Sequence, residues 1–112
     1  MHGINKVLIA GNLTQEPEIR YTPKGSAVCT LDIALNSTYK KKDGTLKENV
    51  VYVQVVVWGK LAETIKLNLS KGSPLMVDGR LYTEFWKDKN GKEYSKLKIV
   101  ANNLNFLPEK NI

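Results

Sequence analysis

Residues 50–58, Val50-Val51-Tyr52-Val53-Gln54-Val55-Val56-Val57-Trp58, decide how this chain folds. Successive side chains of an extended strand alternate between its faces, so Val51, Val53, Val55 and Val57 share one side and Tyr52, Gln54, Val56 and Trp58 the other. Four aligned valines make a core face. That assignment turns Tyr52 and Trp58 to the opposite side, where Gln54 between them implies access to solvent. The same period of two runs from Ala27 to Leu35, with Cys29, Leu31, Ile33 and Leu35 alternating against Val28, Thr30, Asp32 and Ala34. Between the two runs, Lys40 to Lys47 is polar around Asp43-Gly44, a pair that tolerates positive φ and predicts a hairpin.

Outward from this hairpin, Val7-Leu8-Ile9-Ala10 predicts a short first strand. Gln15-Glu16-Pro17-Glu18 and Tyr21-Thr22-Pro23-Lys24-Gly25 predict turns, because proline cannot serve an inner ladder. From Gly59 to Lys71 the period lengthens: Leu61, Ala62, Ile65 and Leu69 recur every three or four residues, as in a short amphipathic helix closed by Gly72. Beyond Pro74, the alternating Leu75, Val77, Gly79 and Leu81 predict a fourth strand, and Leu97, Ile99 and Ala101 a fifth, joined across Asn90-Gly91. Phe85 and Phe106 are expected in the core, while Tyr82 and Tyr94 stay unassigned. Three strands, a helix and two strands describe an all-β protein with small α content. The arrangement is a five-stranded antiparallel Greek-key barrel with its helix between strands three and four, the oligonucleotide/oligosaccharide-binding (OB) fold. The chain, residues 1–112, is read as one such domain with an ordered core of about residues 3–107.

Bulk properties narrow the function. A hydrophobic fraction of 42% and no apolar run near membrane-spanning length argue against a membrane protein. Met1-His2-Gly3-Ile4 enters a strand without signal-peptide features, and the single cysteine, Cys29, fits a buried apolar role in a reducing compartment, so a cytoplasmic, nucleoid-associated location is expected. Seventeen basic against eleven acidic residues give a net charge of +6, which favours an anionic partner. Placement says more than the total. Lys40, Lys41, Lys42 and Lys47 cluster in one hairpin, and Lys87, Lys89, Lys92, Lys96 and Lys98 in the other.

Each cluster adjoins an aromatic residue: Tyr39 precedes Lys40, and Trp86 precedes Lys87. Together with Tyr52 and Trp58 these rings suit unpaired bases, which stack on aromatic faces while lysines neutralise the phosphates. Lys40, Lys41, Lys42, Lys87 and Lys89 are the candidate phosphate contacts that follow from the clusters. A charge run in a hairpin also serves simply to resist edge aggregation, and the neighbouring rings decide for the binding reading. Catalysis finds no support. His2 sits alone at the terminus, Glu16 and Glu18 flank a proline without a third ligand, and Lys24-Gly25-Ser26 lacks the glycine and strand-to-helix setting of a P-loop. No enzymatic activity, catalytic residue, metal site or cofactor is expected.

Several segments in order resemble the bacterial-type single-stranded DNA-binding proteins. These are Asn5-Lys6-Val7 with Gly11-Asn12-Leu13, Glu16-Pro17-Glu18-Ile19-Arg20-Tyr21, Gly25-Ser26-Ala27-Val28, Trp58-Gly59-Lys60-Leu61-Ala62-Glu63 and Lys71-Gly72-Ser73. The resemblance spans about residues 3–107 and implies a homotetramer of barrels that single-stranded DNA wraps, acting in replication, recombination and repair. It places the family's stacking aromatics on Tyr39, Tyr52, Trp58 and Trp86, with tyrosine at the first two where well-known members have tryptophan. It adds Lys60 and Lys71 as basic contacts, and sets Gln54 where a basic residue is common. The chain stops at Glu109-Lys110-Asn111-Ile112 without the family's acidic tip, so tail-mediated replication and repair partners are not supported by it. A protein-interaction module on the same barrel, such as a primosome component, is the alternative reading, and a nuclease the third.

Overall fold

A computed structural model describes residues 1–108; the terminal segment considered above for partner recruitment, residues 109–112, lies outside them. Six strands and one helix follow in order: β1 (Val7–Leu13), β2 (Glu18–Tyr21), β3 (Ala27–Lys40), β4 (Leu46–Trp58), α1 (Lys60–Asn68), β5 (Pro74–Lys87) and β6 (Glu93–Phe106). Five of the strands close a ring in the order β1-β5-β6-β4-β3, sealed where Asn12 and Leu13 of β1 pair with Ala34 and Ile33 of β3. This is the expected OB barrel. A ring of five strands cannot be antiparallel throughout, because alternating direction around an odd number leaves one like-directed pair. That pair is β4–β6, matched at Val55↔Ile99 and Val56↔Val100, so the all-antiparallel expectation is corrected at one seam. β2 is outside the ring, paired to the start of β3, in a stretch flanked by the two predicted turns.

Close approach at the seams requires glycine at two positions. A Cβ on Gly11 would fall on the Ala34 carbonyl oxygen, and one on Gly79 on the Val100 carbonyl oxygen, both well inside van der Waals contact. Gly79 also marks a register shift between β5 and β6, the kind of irregularity that lets a strand bend around a barrel.

The core is one cluster built from the inward positions of β3, β4, β5 and β6, with Cys29, Leu31, Ile33, Val55, Val57 and Val77 nearly inaccessible. Ala62 and Ile65 of α1 and the following Leu69 cap it. The helix ends at Asn68 with Leu69 already extended, four residues before Gly72, which instead turns the chain toward β5 at φ +91°. Burial stops halfway along the long strands. Val53 is half-buried and Val51 exposed, so only the second half of the valine face is core. Leu81, Leu97 and Phe85, placed inside by alternation, and Phe106, placed there by its apolar C-terminal run, are exposed as well, Phe85 at 76%. The β3–β4 and β5–β6 hairpins outrun the barrel, and nothing packs over their inner faces there among the described residues.

Candidate nucleic-acid interface

Both hairpin tips use one device. In the first, Lys41 N–H donates to the Thr45 carbonyl at 2.8 Å and Gly44 N–H to the Lys41 carbonyl at 3.0 Å; in the second, Asp88 to Lys92 at 3.0 Å and Gly91 to Asp88 at 3.1 Å. Only the glycines take positive φ, +88° and +80°, so these are three-residue loops with a left-handed glycine rather than two-residue turns on Asp43-Gly44 and Asn90-Gly91. Aspartate organises each loop. Asp43 Oδ1 accepts from the Thr45 hydroxyl at 2.6 Å and its N–H at 2.9 Å. Asp88 Oδ1 accepts from the Asn90 and Lys92 amides, and its Oδ2 from the Tyr94 hydroxyl at 3.1 Å. These hydrogen bonds, from Thr45 at Asp43 and chiefly from the Lys92 amide at Asp88, hold both carboxyls below their ordinary range.

The four candidate rings all reach solvent: Tyr52 is 73% exposed, Tyr39 and Trp58 49%, and Trp86 45%. They do not form one platform. Tyr52 and Trp58 share a face of β4, six residues and about 20 Å apart. Tyr39, opposite Lys47, has the parity of the inward residues Cys29 to Leu35, and so lies on the other face of the same ribbon. Trp86 stands on β5 opposite Tyr94, whose ring stacks on it at 5.7 Å and 15° between planes. Lys92 Nζ sits 5.4 Å from the Tyr94 ring centre, within cation–π range. Tyr94, unassigned by alternation, is therefore a member of the Trp86 site.

The lysines divide similarly. Lys40, Lys41 and Lys42 are exposed at the first tip, as is Lys89 at the second, while Lys87 pairs with Glu93 at 3.6 Å. Lys60 opens α1 two residues after Trp58. Lys71 stands apart from both hairpins in the α1–β5 connection, where its backbone N–H donates to Glu16 at 2.9 Å.

Where β4 and β6 diverge beyond their short parallel pairing, a cleft of about 510 Å³ opens, lined by Asp32, Tyr52, Gln54, Lys96, Leu97 and Lys98 among others. Its size is that of a small-molecule site. Lys98 is tied to Glu84 and is only 15% exposed; Lys96 stands exposed. The sequence clusters contain these two lysines, but only the strand divergence brings them opposite Tyr52.

Comparison with known proteins agrees with this architecture. Residues 4–107 match the family described as the single-strand binding protein family. The single-stranded DNA-binding protein of Deinococcus radiodurans is 43% identical over 93% of this chain and 34% of its own length. That of Helicobacter pylori is 42% identical over 95% of this chain and 59% of its own. The chain thus spans between about a third and two-thirds of the length of the relatives it matches. Among solved structures, the Thermus aquaticus single-stranded DNA binding protein superposes with a TM-score of 0.82 at 33% identity, over 96% of this chain and 52% of that one. A Plasmodium falciparum SSB in complex with ssDNA superposes with a TM-score of 0.86 at 25% identity, over 96% and 98%.

Proposed function

The chain belongs to the single-strand binding protein family, and from that membership we propose that it coats and protects single-stranded DNA during replication, recombination and repair. It is a binding protein rather than an enzyme. One observation carries the mechanism: two hairpins project past the closed barrel, and their exposed rings stand among exposed lysines. In this reading bases stack on Tyr39, Tyr52, Trp58 and Trp86, and Lys40, Lys41, Lys42, Lys60, Lys71, Lys87 and Lys89 neutralise phosphates. Stacking is available to every base, so affinity is largely independent of sequence. Rings on both faces of the β3–β4 ribbon favour a strand that wraps rather than one lying along a single groove. Assembly into a homotetramer is part of the proposal, supported by Leu8, Leu81, Leu97 and Phe85 left exposed on the barrel and its hairpin.

Oligo-dT titration tests it directly. Intrinsic emission from Trp58 and Trp86 quenches on binding at low salt and recovers as salt rises. Unchanged emission at low salt, or equal affinity for duplex, refutes the proposal and favours the protein-interaction module. Light scattering with oligo-dT of graded length reports subunit number and occluded length together.

A further inference from the structure

Asp32 and Gln54 face each other in register across β3–β4, and Gln54 Nε2 donates to Asp32 Oδ1 at 3.2 Å. A carboxylate accepts and cannot donate, so this contact determines which end of the amide is nitrogen. Gln54 keeps Oε1 as an acceptor and its second Nε2 hydrogen as a donor. It lies two residues from Tyr52 on the same face of β4, about 7 Å along the strand, and both line the cleft toward β6. A base stacked on the Tyr52 ring therefore brings an edge within reach of the Gln54 amide.

Resting on the single-strand reading above, we infer that Gln54, oriented by Asp32, reads that edge and favours amino bases over keto bases at this one seat. Cytosine presents an N4 amino donor beside the N3 acceptor, and adenine an N6 amino donor beside N1. Both complement Oε1 and Nε2–H as a two-bond pair. Thymine and guanine present the reverse, a carbonyl acceptor beside a ring N–H. Matching them in the pose that cytosine takes on the ring requires the amide to turn over, which sets Oε1 against the Asp32 carboxylate, two acceptors in contact with no proton between them. Thymine avoids this only by sliding along its edge to pair through N3–H and O2, which shifts it off that stacked pose. The Asp32 charge also repels phosphate, so this end of the cleft takes a base while the backbone passes Lys96 on the opposite wall. The result is a local bias superimposed on general stacking.

The test compares oligo-dC with oligo-dT of equal length, at mildly alkaline pH where cytosine is unprotonated, using the wild-type chain, Gln54→Leu and Asp32→Asn. Thermal unfolding checks that each variant is folded. The ratio of dC to dT affinity falls about fivefold in both variants, the lower end of what one bidentate base contact supplies. Asp32→Asn has this effect because an asparagine amide donates as well as accepts and releases Gln54 to turn over. A ratio within about twofold of wild type in either variant overturns the inference, leaving the Asp32–Gln54 contact a cross-strand tie. If the wild-type chain binds neither oligonucleotide, it is the single-strand reading itself that fails.

Discussion

Replacing Trp86 by alanine separates binding from folding. The indole is 45% exposed, and Tyr94 already stacks on it, so a base has the remaining ring surface. Base–aromatic stacking contributes about 1–3 kcal/mol, and with one face occupied the lower part of that range applies, about 1–2 kcal/mol or 5- to 30-fold in affinity. Stability changes much less. Trp86 is not part of the buried cluster, and what the variant loses is the exposed stack on Tyr94, about 0.5 kcal/mol at the low end for such pairs. For a chain of this length that shifts Tm by only a few degrees. Anisotropy of a labelled oligo-dT measures affinity, thermal unfolding measures stability, and Trp86→Phe serves as control because a smaller ring still stacks. Binding by Trp86→Ala within about twofold of wild type, or an equal loss in Trp86→Phe, refutes the stacking role.

The barrel seam, the lysine tip, the second turn and the buried thiol each offer a further measurement. Gly11→Ala drives a Cβ onto the Ala34 carbonyl and should cost about 1–3 kcal/mol, read as a lower denaturant midpoint with no change in hairpin residues. Changing Lys40, Lys41 and Lys42 together to glutamine should reduce the slope of log affinity against log salt by about 2, at roughly 0.7 per phosphate contact; an unchanged slope removes them from the interface. The Asp88 carboxyl is held low by its hydrogen bonds, so the turn's order is present above the ordinary carboxylate range and lost as pH falls through the depressed value. Amide signals of residues 88–92 should therefore broaden in acid, and Asp88→Asn should abolish that transition. Burial raises the Cys29 thiol pKa, so its contribution is complete below the unfolded thiol value of 9.0 and lost as pH rises through the folded one; Cys29→Ala should flatten the alkaline fall in stability.

Alternation in residues 50–58 identified the strand and the right core side, and Val55 and Val57 are indeed inaccessible. It misjudged Val51, and Phe85 in β5, for one reason: a period of two reports which face a side chain takes, not whether another element covers that face. Only the point where the strands leave the ring decides that, and the ring depends on contacts between residues far apart in sequence, such as Leu13 with Ile33. The four exposed rings were legible from their polar neighbours. The Trp86–Tyr94 stack was not, because it depends on loop length. A two-residue turn on Asn90-Gly91 would set Trp86 opposite Ser95. The three-residue loop with Gly91 left-handed moves the register by one and brings Tyr94 opposite instead. The same shift at Gly44 sets Tyr39 against Lys47 rather than Glu48. From sequence, Gln54 reads as a mark of solvent access between Tyr52 and Trp58 and as a missing positive charge; its tie to Asp32 needs the cross-strand register.

Those two loops have a consequence for the interface. A ring in the core is held by every neighbour it touches, so its position is as stable as the barrel. A ring at a hairpin tip is held by the turn below it, and here each turn rests on one aspartate and one left-handed glycine. Asp88 is the clearer case: by accepting from two backbone amides and the Tyr94 hydroxyl, it ties the loop to the ring that backs Trp86. The surface is thereby ordered locally, by hydrogen bonds within its own turn rather than by the buried cluster. Substitutions at Asp43, Gly44, Asp88 and Gly91, none of which is a proposed DNA contact, thus act on binding through the order of the hairpins, and leave the seam at Gly11 and Gly79 untouched.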